Sequence, residues 1–585
     1  MSAALGWCCG SGCGSPTLVL RACASATILA LTAPLDQLML ATDVNEWAWE
    51  MAVGLIGSGW QLHGGQNQYR AQYRAEYHAE YEALHAAIPT FTSALGVFSQ
   101  RAQQQRNPGL MALIEHANAR QIPVLLDDQL LTLGTGNGSQ SWPLAELPAF
   151  QGVAWPQLHG IPTLLVTGTN GKTTSVRLLA AMASHAGQHT GYCCTDGVFI
   201  NGAQLEAGDF SGPGGARNVL RQSGIDFAVL EMARGGILRR GLALDSAQVA
   251  LITNVSPEHF GEYGIDNIHD LAQVKLVLAQ AVQQHGTLVL NADDPLLLAY
   301  AKTQASADST AHTAHSANLP GALALFAHDY AHPALQAQRA QGGLCCGVQA
   351  GRLLLFAYNQ EVDLGAVKAM PLTVQGSAHY NIANCAGAAL SAFAIGIKAD
   401  HIAQVLSQFG LSRHDNPGRL ERWNLADITV LLDYAHNPEG LSGLLTVAQG
   451  LRLAGQGQGR IGLLLGQAGN RSNEAIADLA KAAAGFTPDH IILKDILGYM
   501  RGREPGEVPA LLHASLLESG MAAQKIELIL PEVEAACALL RWASAGDVLV
   551  LPVHDKQSKK KMQDLLDTLQ DQHWHSGQTL TTPLG

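Results

Sequence analysis

One stretch limits what this chain can become: Leu164-Leu165-Val166-Thr167-Gly168-Thr169-Asn170-Gly171-Lys172-Thr173-Thr174. The mostly apolar run Ile161 to Val166 predicts a buried parallel strand, and Ser175 to Met182, rich in Leu and Ala, predicts a helix. A glycine-bearing turn between a strand and a helix N-terminus cradles phosphate. Backbone N–H groups aim at the anion, and the helix dipole adds partial positive charge. Lys172 then reaches the β- and γ-phosphates, and the Thr173 hydroxyl sits on Mg²⁺. Gly168, Thr169, Asn170, Gly171 and Thr174 complete the nucleotide contact. The usual loop would place its first glycine at Val166, whereas this chain carries Gly168. An ordinary βα turn is the competing reading.

The 585 residues suit three or four domains, on a prior of ~150 residues each. Apolar residues reach 47%, enough for sizeable cores, and the net charge of -13 disfavours nucleic acid. Lys559-Lys560-Lys561 is too short to reverse that and reads as a solvated helix face. Ten cysteines are scattered without a regular framework: Cys8, Cys9 and Cys13 crowd one end, and Cys193-Cys194 and Cys345-Cys346 are neighbours. That pattern favours reduced thiols and a cytoplasmic setting. No apolar run approaches the ~18 residues that cross a bilayer, so no membrane partner is predicted. Thr17 to Ala33, interrupted by Arg21, is read with residues 1–34 as a poorly ordered extension.

Residues 35–150 read as a small α+β N-terminal domain. Asp43 to Ile56 and Leu110 to Arg120 predict helices, and Ile122 to Leu126 predicts a strand. Tyr69, Tyr73, Tyr77 and Tyr81 recur every four residues on one helical stripe, read as a packing face rather than a polymer-binding one. Gly134 to Ser141 reads as a turn or linker.

Residues 151–415 read as a central P-loop domain, a doubly wound parallel sheet with ATPase character. Ser211 to Arg217 reads as a flexible loop ending in a cation, suited to an anionic substrate or to no ligand at all. Phe227 to Glu231 is a buried strand ending in a carboxylate, and Val249 to Asn254 is another, with His259 just beyond. Ligands of open parallel sheets collect at the carboxyl ends of strands, which gathers Lys172, Thr173, Glu231 and His259 at one edge. A hydroxyl, a carboxylate and an imidazole can share a divalent ion with nucleotide oxygens; Mg²⁺ prefers oxygen, so the imidazole is the less expected ligand. Lys275 lies on a helix predicted over Leu271 to Val282, and Asn291 ends the strand Leu288 to Asn291. Ser306 to Leu319 is a loop of low complexity. Residues 416–585 alternate strands (Ile428–Leu432, Gly462–Leu465, His490–Leu493, Val548–Leu551) with helical segments, predicting a Rossmann-like α/β C-terminal domain.

Together these motifs resemble the Mur ligase superfamily, the ATP-dependent amide ligases of peptidoglycan and folate-polyglutamate synthesis. The phosphate turn, Thr253-Asn254-Val255-Ser256-Pro257-Glu258-His259 and Asp433-Tyr434-Ala435-His436-Asn437-Pro438 match it in order. Within it, Glu231 to Arg239, Leu290 to Pro295, Asn416 to Arg419 and Arg501 to Arg503 are most similar to the C-terminal ligase half of the cyanophycin synthetase family. The resemblance implies that Thr173, Glu231 and His259 hold magnesium and that Asn291, Arg419 and Asp433 contact ATP, the last two from a C-terminal domain closing onto the central one. It places Lys275 where several Mur ligases carry a carbamylated lysine, although its spacing from His259 is longer here. It departs at the front: too few residues precede Thr167 for the ATP-grasp domain of cyanophycin synthetase. One ligase site cannot perform both additions that build the β-Asp-Arg repeat, so the substrate can differ from cyanophycin.

The implied enzyme joins a carboxylate to an amine through an acyl phosphate, with ATP and Mg²⁺ as cofactors and amino acids or peptides as small-molecule partners; a homo-oligomer stays open. His436 orients phosphate or the amine, or caps its strand. Arg471, Arg501 and Arg503 hold a substrate carboxylate or form surface ion pairs. The rivals are a folylpolyglutamate- or peptidoglycan-precursor-type ligase and a non-catalytic nucleotide-binding scaffold. The arginine-rich Ala233 to Arg240 stretch counts against the first, and the intact candidate positions count against the second.

Overall fold

In the computed structural model, residues 18–22, 27–31, 44, 91–258, 260–307, 322–454 and 459–580 are described. The tyrosine stripe, Cys8, Cys9, Cys13, nearly all of the helix expected over Asp43 to Ile56, most of the Ser306–Leu319 loop and, importantly, His259 lie outside the described residues. The contacts divide the chain into two units, one made of residues 1–134, 140–159 and 260–266 and the other of residues 135–139, 160–259 and 267–585.

Continuous apolar runs build the sheets of the larger unit. Its strands are β1 (Thr163–Thr167), β2 (Thr190–Cys194), β3 (Gly197–Ile200), β4 (Ala203–Ala207), β5 (Phe227–Glu231) and β6 (Ala247–Ile252). Then come β7 (Val282–Asn291), β8 (Ala322–Asp329), β9 (Cys345–Gln349), β10 (Arg352–Ala357) and β11 (Gln360–Ala366). They form one 11-stranded sheet in the order β11-β10-β9-β8-β7-β6-β1-β5-β2-β3-β4. Every residue of β1 and of β5 is buried, as parallel strands covered on both faces require. The helices used below are α1 (Lys172–His185), α2 (Ile268–Leu276), α3 (His379–Ala394), α4 (Pro438–Ala454), α5 (Glu532–Trp542) and α6 (Lys556–Asp571). Leu178, Leu179 and Met182 of α1 and Ala386, Ala389 and Leu390 of α3 join Leu164, Val229 and Leu251 in one core.

The sheet is parallel from β9 across to β2, but its edges are not. β3 and β4 at one end, and β10 and β11 at the other, run antiparallel. The reason is local. Asn201-Gly202, Ala350-Gly351 and Tyr358-Asn359 each carry two successive positive φ angles, the two-residue turn that matches the right-handed twist of a hairpin.

The second sheet comprises β12 (Glu421–Asn424), β13 (Thr429–Asp433), β14 (Ile461–Leu465), β15 (His490–Leu493), β16 (Ile526–Leu528) and β17 (Val548–Pro552). Its order is β12-β13-β17-β14-β15-β16, and only β12 is antiparallel. A Rossmann-like arrangement follows, as the strand–helix alternation predicts.

Two expected loops are ordered otherwise. Ser211 to Arg217 is no flexible loop: Pro213 opens a helix over Pro213–Leu220 that includes Arg217. The segment Gly134 to Ser141 is more than a linker. Thr135 Oγ1 accepts the Ile161 N–H at 2.9 Å and the Asn137 N–H donates to the Ile225 carbonyl at 2.8 Å.

The smaller unit is α+β. Helices Phe91–Gln105 and Pro108–Ala119 accompany antiparallel strands Val124–Leu126, Leu130–Leu133 and Gln140–Pro143. Leu110, Leu113, Ile114, Leu131 and Leu133 form its core. Near the start of the chain, Leu18–Ala22 pairs antiparallel with Thr27–Leu31.

Candidate functional site

Register brings the strand ends together. Glu231 at the end of β5 pairs with Val166 of β1, Ile252 of β6 pairs with Thr167, and Leu290 of β7 pairs with Ile252. The phosphate turn therefore emerges between Glu231 on one side and Thr253-Asn254 on the other.

The turn is strapped in place. The Thr169 and Asn170 N–H groups both donate to Asn254 Oδ1, at 3.1 and 2.8 Å, and Thr253 Oγ1 donates to the Asn170 carbonyl at 2.6 Å. Gly168 has φ +151°, and a Cβ there would lie 1.9 Å from Thr253 Oγ1. Gly171 has φ +83°, and a Cβ there would lie 2.2 Å from Asn384 Oδ1. As N-cap of α1, Gly171 offers no side chain to the first N–H groups of the helix, which are the groups that bind an anion. Lys172 Nζ arches over the turn, donating to the carbonyls of Gly168 (3.0 Å) and Thr169 (2.7 Å).

Beside the lysine lies a cluster of oxygens. Thr173 Oγ1 donates to Glu231 Oε2 at 2.8 Å, and Thr195 Oγ1 donates to Glu231 Oε1 at 3.0 Å. Burial pushes the fully enclosed Glu231 carboxyl up, while Lys172, the two threonine hydroxyls and Arg419 pull the other way. Of the three expected metal ligands, Thr173 and Glu231 thus meet; the structure does not describe His259. Hydroxyl and carboxylate oxygens suit a hard cation such as Mg²⁺, which keeps several ligand positions for water and phosphate. No group of three or more His, Cys, Asp and Glu that could hold a metal occurs among the described residues.

Lys275, on α2, is fully buried with its Nζ 3.2 Å from Glu258 Oε1. Burial brings its ammonium down from 10.5 to about 8, against the pull of Glu258, with Lys172 adding repulsion. Between those values the unfolded chain keeps a proton that the folded chain has released, so stability rises with pH across that window. Wild-type protein should therefore gain stability from pH 8 to 10.5 relative to Lys275→Met, by up to ~3 kcal/mol. Denaturant titrations at stepped pH measure this; parallel curves would contradict it.

Residues beyond 416 complete the site. Arg419 lies over the Tyr434 ring at 4.8 Å, and Asp196, Asp433 and Glu231 all act on its charge. Asp433 Oδ2 accepts the Leu420 N–H at 2.5 Å. Asn170 of the phosphate turn donates to Glu439 Oε2 at 2.8 Å and accepts from Asn437 at 3.0 Å, tying the turn to the start of α4. His436 Nδ1 is 3.2 Å from the Tyr434 carbonyl. A carbonyl only accepts, so Nδ1 carries the proton and Nε2 presents a lone pair. Desolvation pushes this imidazole well below its usual range, so it is neutral at pH 7. Asn291 sits at the same edge, its amide donating to the Thr253 carbonyl at 3.0 Å and accepting the Asp293 N–H at 3.0 Å.

Arg503 takes the ion-pair alternative, and Lys559 departs from the solvated face expected of it. Arg503 is bound within its own lobe, donating to the carbonyls of Gly469 and Arg471 at 2.9 Å and pairing with Glu507 at 2.6 Å. Arg501 is exposed and lies over the Tyr499 ring at 5.3 Å. Lys559 is no solvated face: it lies 3.5 Å from Asp196 with 17% of its side chain exposed. Asp196 also pairs with Arg177 at 2.8 Å. Burial alone would raise the Asp196 carboxyl, but Arg419, Arg177 and Lys559 outweigh it and hold it below the usual range. Arg177 in turn donates to Asn416 Oδ1 (3.1 Å) and the Pro417 carbonyl (2.9 Å), and Asn416 donates to Thr174 Oγ1 at 3.2 Å. Arg177, Thr195, Asp196 and Asn384 are not legible as site residues from sequence; Arg177 and Asn384 are polar residues that adjoin apolar runs of their helices, and Thr195 and Asp196 follow a mostly apolar strand.

Residues 166–336 match the Mur ligase middle domain, and residues 418–552 match the Mur ligase glutamate ligase domain. The chain belongs to the Mur ligase superfamily. Within that class it is similar to the cyanophycin synthetase of Geminocystis herdmanii, 35% identical over 395 residues that cover 67% of this chain and 42% of that protein. It thus spans less than half the length of that relative. It is also 25% identical to the UDP-N-acetylmuramoyl-L-alanyl-D-glutamate--2,6-diaminopimelate ligase of Corynebacterium efficiens, covering 68% of this chain and 71% of that enzyme. The solved structure of E.coli FolC in complex with DHPP and ADP is 17% identical, covering 70% of this chain and 89% of that one with a TM-score of 0.47.

Proposed function

We propose that this chain is an ATP-dependent carboxylate–amine ligase, similar to the C-terminal half of cyanophycin synthetase, that adds an amino acid to a carboxylate of an amino acid or peptide. One observation carries the reading: Lys172, the uncapped start of α1 and the Thr173–Glu231 oxygens sit at one sheet edge, under Arg419 and Asp433. Membership of a ligase superfamily supports it.

In the reaction, a substrate carboxylate oxygen attacks the γ-phosphorus of ATP and ADP leaves, giving an acyl phosphate. The amine nitrogen then attacks the acyl carbon, phosphate leaves and the nitrogen loses a proton. Two anions must meet in the first step. Lys172 and the N–H groups of α1 offset their repulsion and hold the attack in line. Thr173 and Glu231, with His259, would hold Mg²⁺, which when bound supplies charge neutralisation at the phosphates. Arg419 and the Asp433–Asn437 loop cover the site and exclude the water that would hydrolyse an acyl phosphate. Neutral His436, with its Nε2 lone pair, orients the incoming amine through one of its N–H bonds.

The test is ADP release from ATP across a matrix of amino acids and short acidic peptides, with mass spectrometry of the products. The reading expects ADP release to require an acid and an amine together and a new amide mass to appear. ADP release indifferent to both would refute it.

A further inference from the structure

Beneath the loop that bears Tyr434 and His436, three buried ionisable side chains meet, and the reaction above uses none of them. Lys494 follows β15, Glu532 opens α5 and His554 follows β17. They are 0%, 3% and 5% exposed. Lys494 Nζ donates to Glu532 Oε1 and lies 3.3 Å from His554 Nδ1. Glu532 also accepts the backbone N–H groups of His554 at 3.1 Å and Asp555 at 3.2 Å. Across the ring, His554 Nε2 is 3.0 Å from the Ala435 carbonyl.

Burial pushes the Lys494 ammonium down and Glu532 pulls the other way. As the ammonium bonded to that carboxylate it only donates, so Nδ1 of His554 accepts, and the Ala435 carbonyl only accepts, so Nε2 carries the proton. The edge of the same ring meets Tyr434, with centroids 5.2 Å apart at 64°. Tyr434 is the face over which Arg419 lies, and two residues past Ala435 comes Asn437, which reaches Asn170 of the phosphate turn. Two charges taken out of water cost more than their attraction returns unless further hydrogen bonds satisfy them, as the His554 and Asp555 N–H groups do for Glu532. Here the charged pair fixes one tautomer of one histidine.

We propose that His554, its tautomer set by Lys494 and Glu532, is a positioning residue that holds the Ala435 carbonyl and the Tyr434 ring so that the C-terminal loop presents Arg419 and Asn437 to the bound nucleotide. The inference rests on the ligase reading only in naming that ligand. Burial, which pushes the His554 imidazole well below its usual range, is consistent with a neutral ring.

Two measurements test it. In the unaltered chain, ¹⁵N NMR of the histidines should show His554 as neutral Nε2–H at pH 7; an Nδ1–H or doubly protonated ring overturns the proposal whatever the nucleotide does. In variants, the affinity for a non-hydrolysable ATP analogue is read alongside the unfolding temperature. A glutamine amide N–H can reach the position of Nε2, whereas the shorter asparagine cannot. His554→Gln should bind within about twofold of the unaltered chain and His554→Asn about tenfold more weakly. Equal affinities for the two variants, or the reverse order, overturn it. If the unaltered chain binds no ATP analogue, the ligase reading falls, and the tautomer still decides whether His554 holds Ala435. Lys494→Met is not used, because it would strand the Glu532 charge and confound folding with function.

Discussion

Lys172→Ala should abolish ATP-dependent amide formation, lowering kcat by ~10³-fold or more, while the chain stays folded. Among the described residues the ammonium hydrogen-bonds two carbonyls, both of its own turn, and the side chain is half-buried. Removing such bonds costs ~1 kcal/mol of stability. The other positive charges assigned to the site, Arg419 and the cation that Thr173 and Glu231 would hold, come from other directions, and the N–H groups of α1 carry no full charge, so none of them takes the place of an ammonium over the turn. The check is ADP release with a productive acid–amine pair, run beside thermal unfolding. Near-normal amide formation in a folded variant would remove the assigned site.

The second large effect concerns stability. Arg177→Met should destabilise the larger unit by ~3–5 kcal/mol, although methionine keeps most of the volume. Arg177 is 4% exposed and divides its guanidinium between Asp196, Asn416 Oδ1 and the Pro417 carbonyl. Its loss leaves the Asp196 carboxylate with Lys559 at 3.5 Å and the charge of Arg419, and leaves the Asn416 and Pro417 oxygens without that donor. The substitution also removes the Arg177 bonds between α1 and the segment leading to Arg419, leaving the Asn416–Thr174 bond. Nucleotide affinity should fall with stability. Denaturant unfolding measures the first effect, and a loss below 1 kcal/mol would contradict the account.

How far the chain could be read in advance follows from the physics of each element. Buried parallel strands announce themselves as continuous apolar runs, so β1, β5, β6 and β13 are legible, and with the first three the edge where Lys172, Thr173 and Glu231 meet; Asp433, on the second sheet, is marked only through the family resemblance. The hairpin edges were missed although Asn201-Gly202 is a strong turn signal, because the strand Ala203–Ala207 is entirely exposed and carries no apolar pattern. The helix at Pro213 was hidden by Gly214 and Gly215, poor helix formers that packing overrides: a Cβ at Gly215 would lie 2.1 Å from the Phe210 carbonyl oxygen. For Arg503 the sequence leaves a substrate carboxylate and an ion pair both open, because it cannot show that the donors are spent on Gly469, Arg471, Asn473 and Glu507. Lys559 reads as solvent-facing from sequence for a related reason: its partner Asp196 lies far away along the chain. Contacts between distant segments leave no local pattern, and the ties through Arg177 and Asn170 are of that kind.

The central claim is that the carboxylate itself takes the γ-phosphoryl group at this edge. With a productive acid labelled with ¹⁸O in its carboxylate, the released phosphate should carry one ¹⁸O atom per turnover and the nucleotide product should be ADP. Unlabelled phosphate, or AMP with pyrophosphate, would contradict the account.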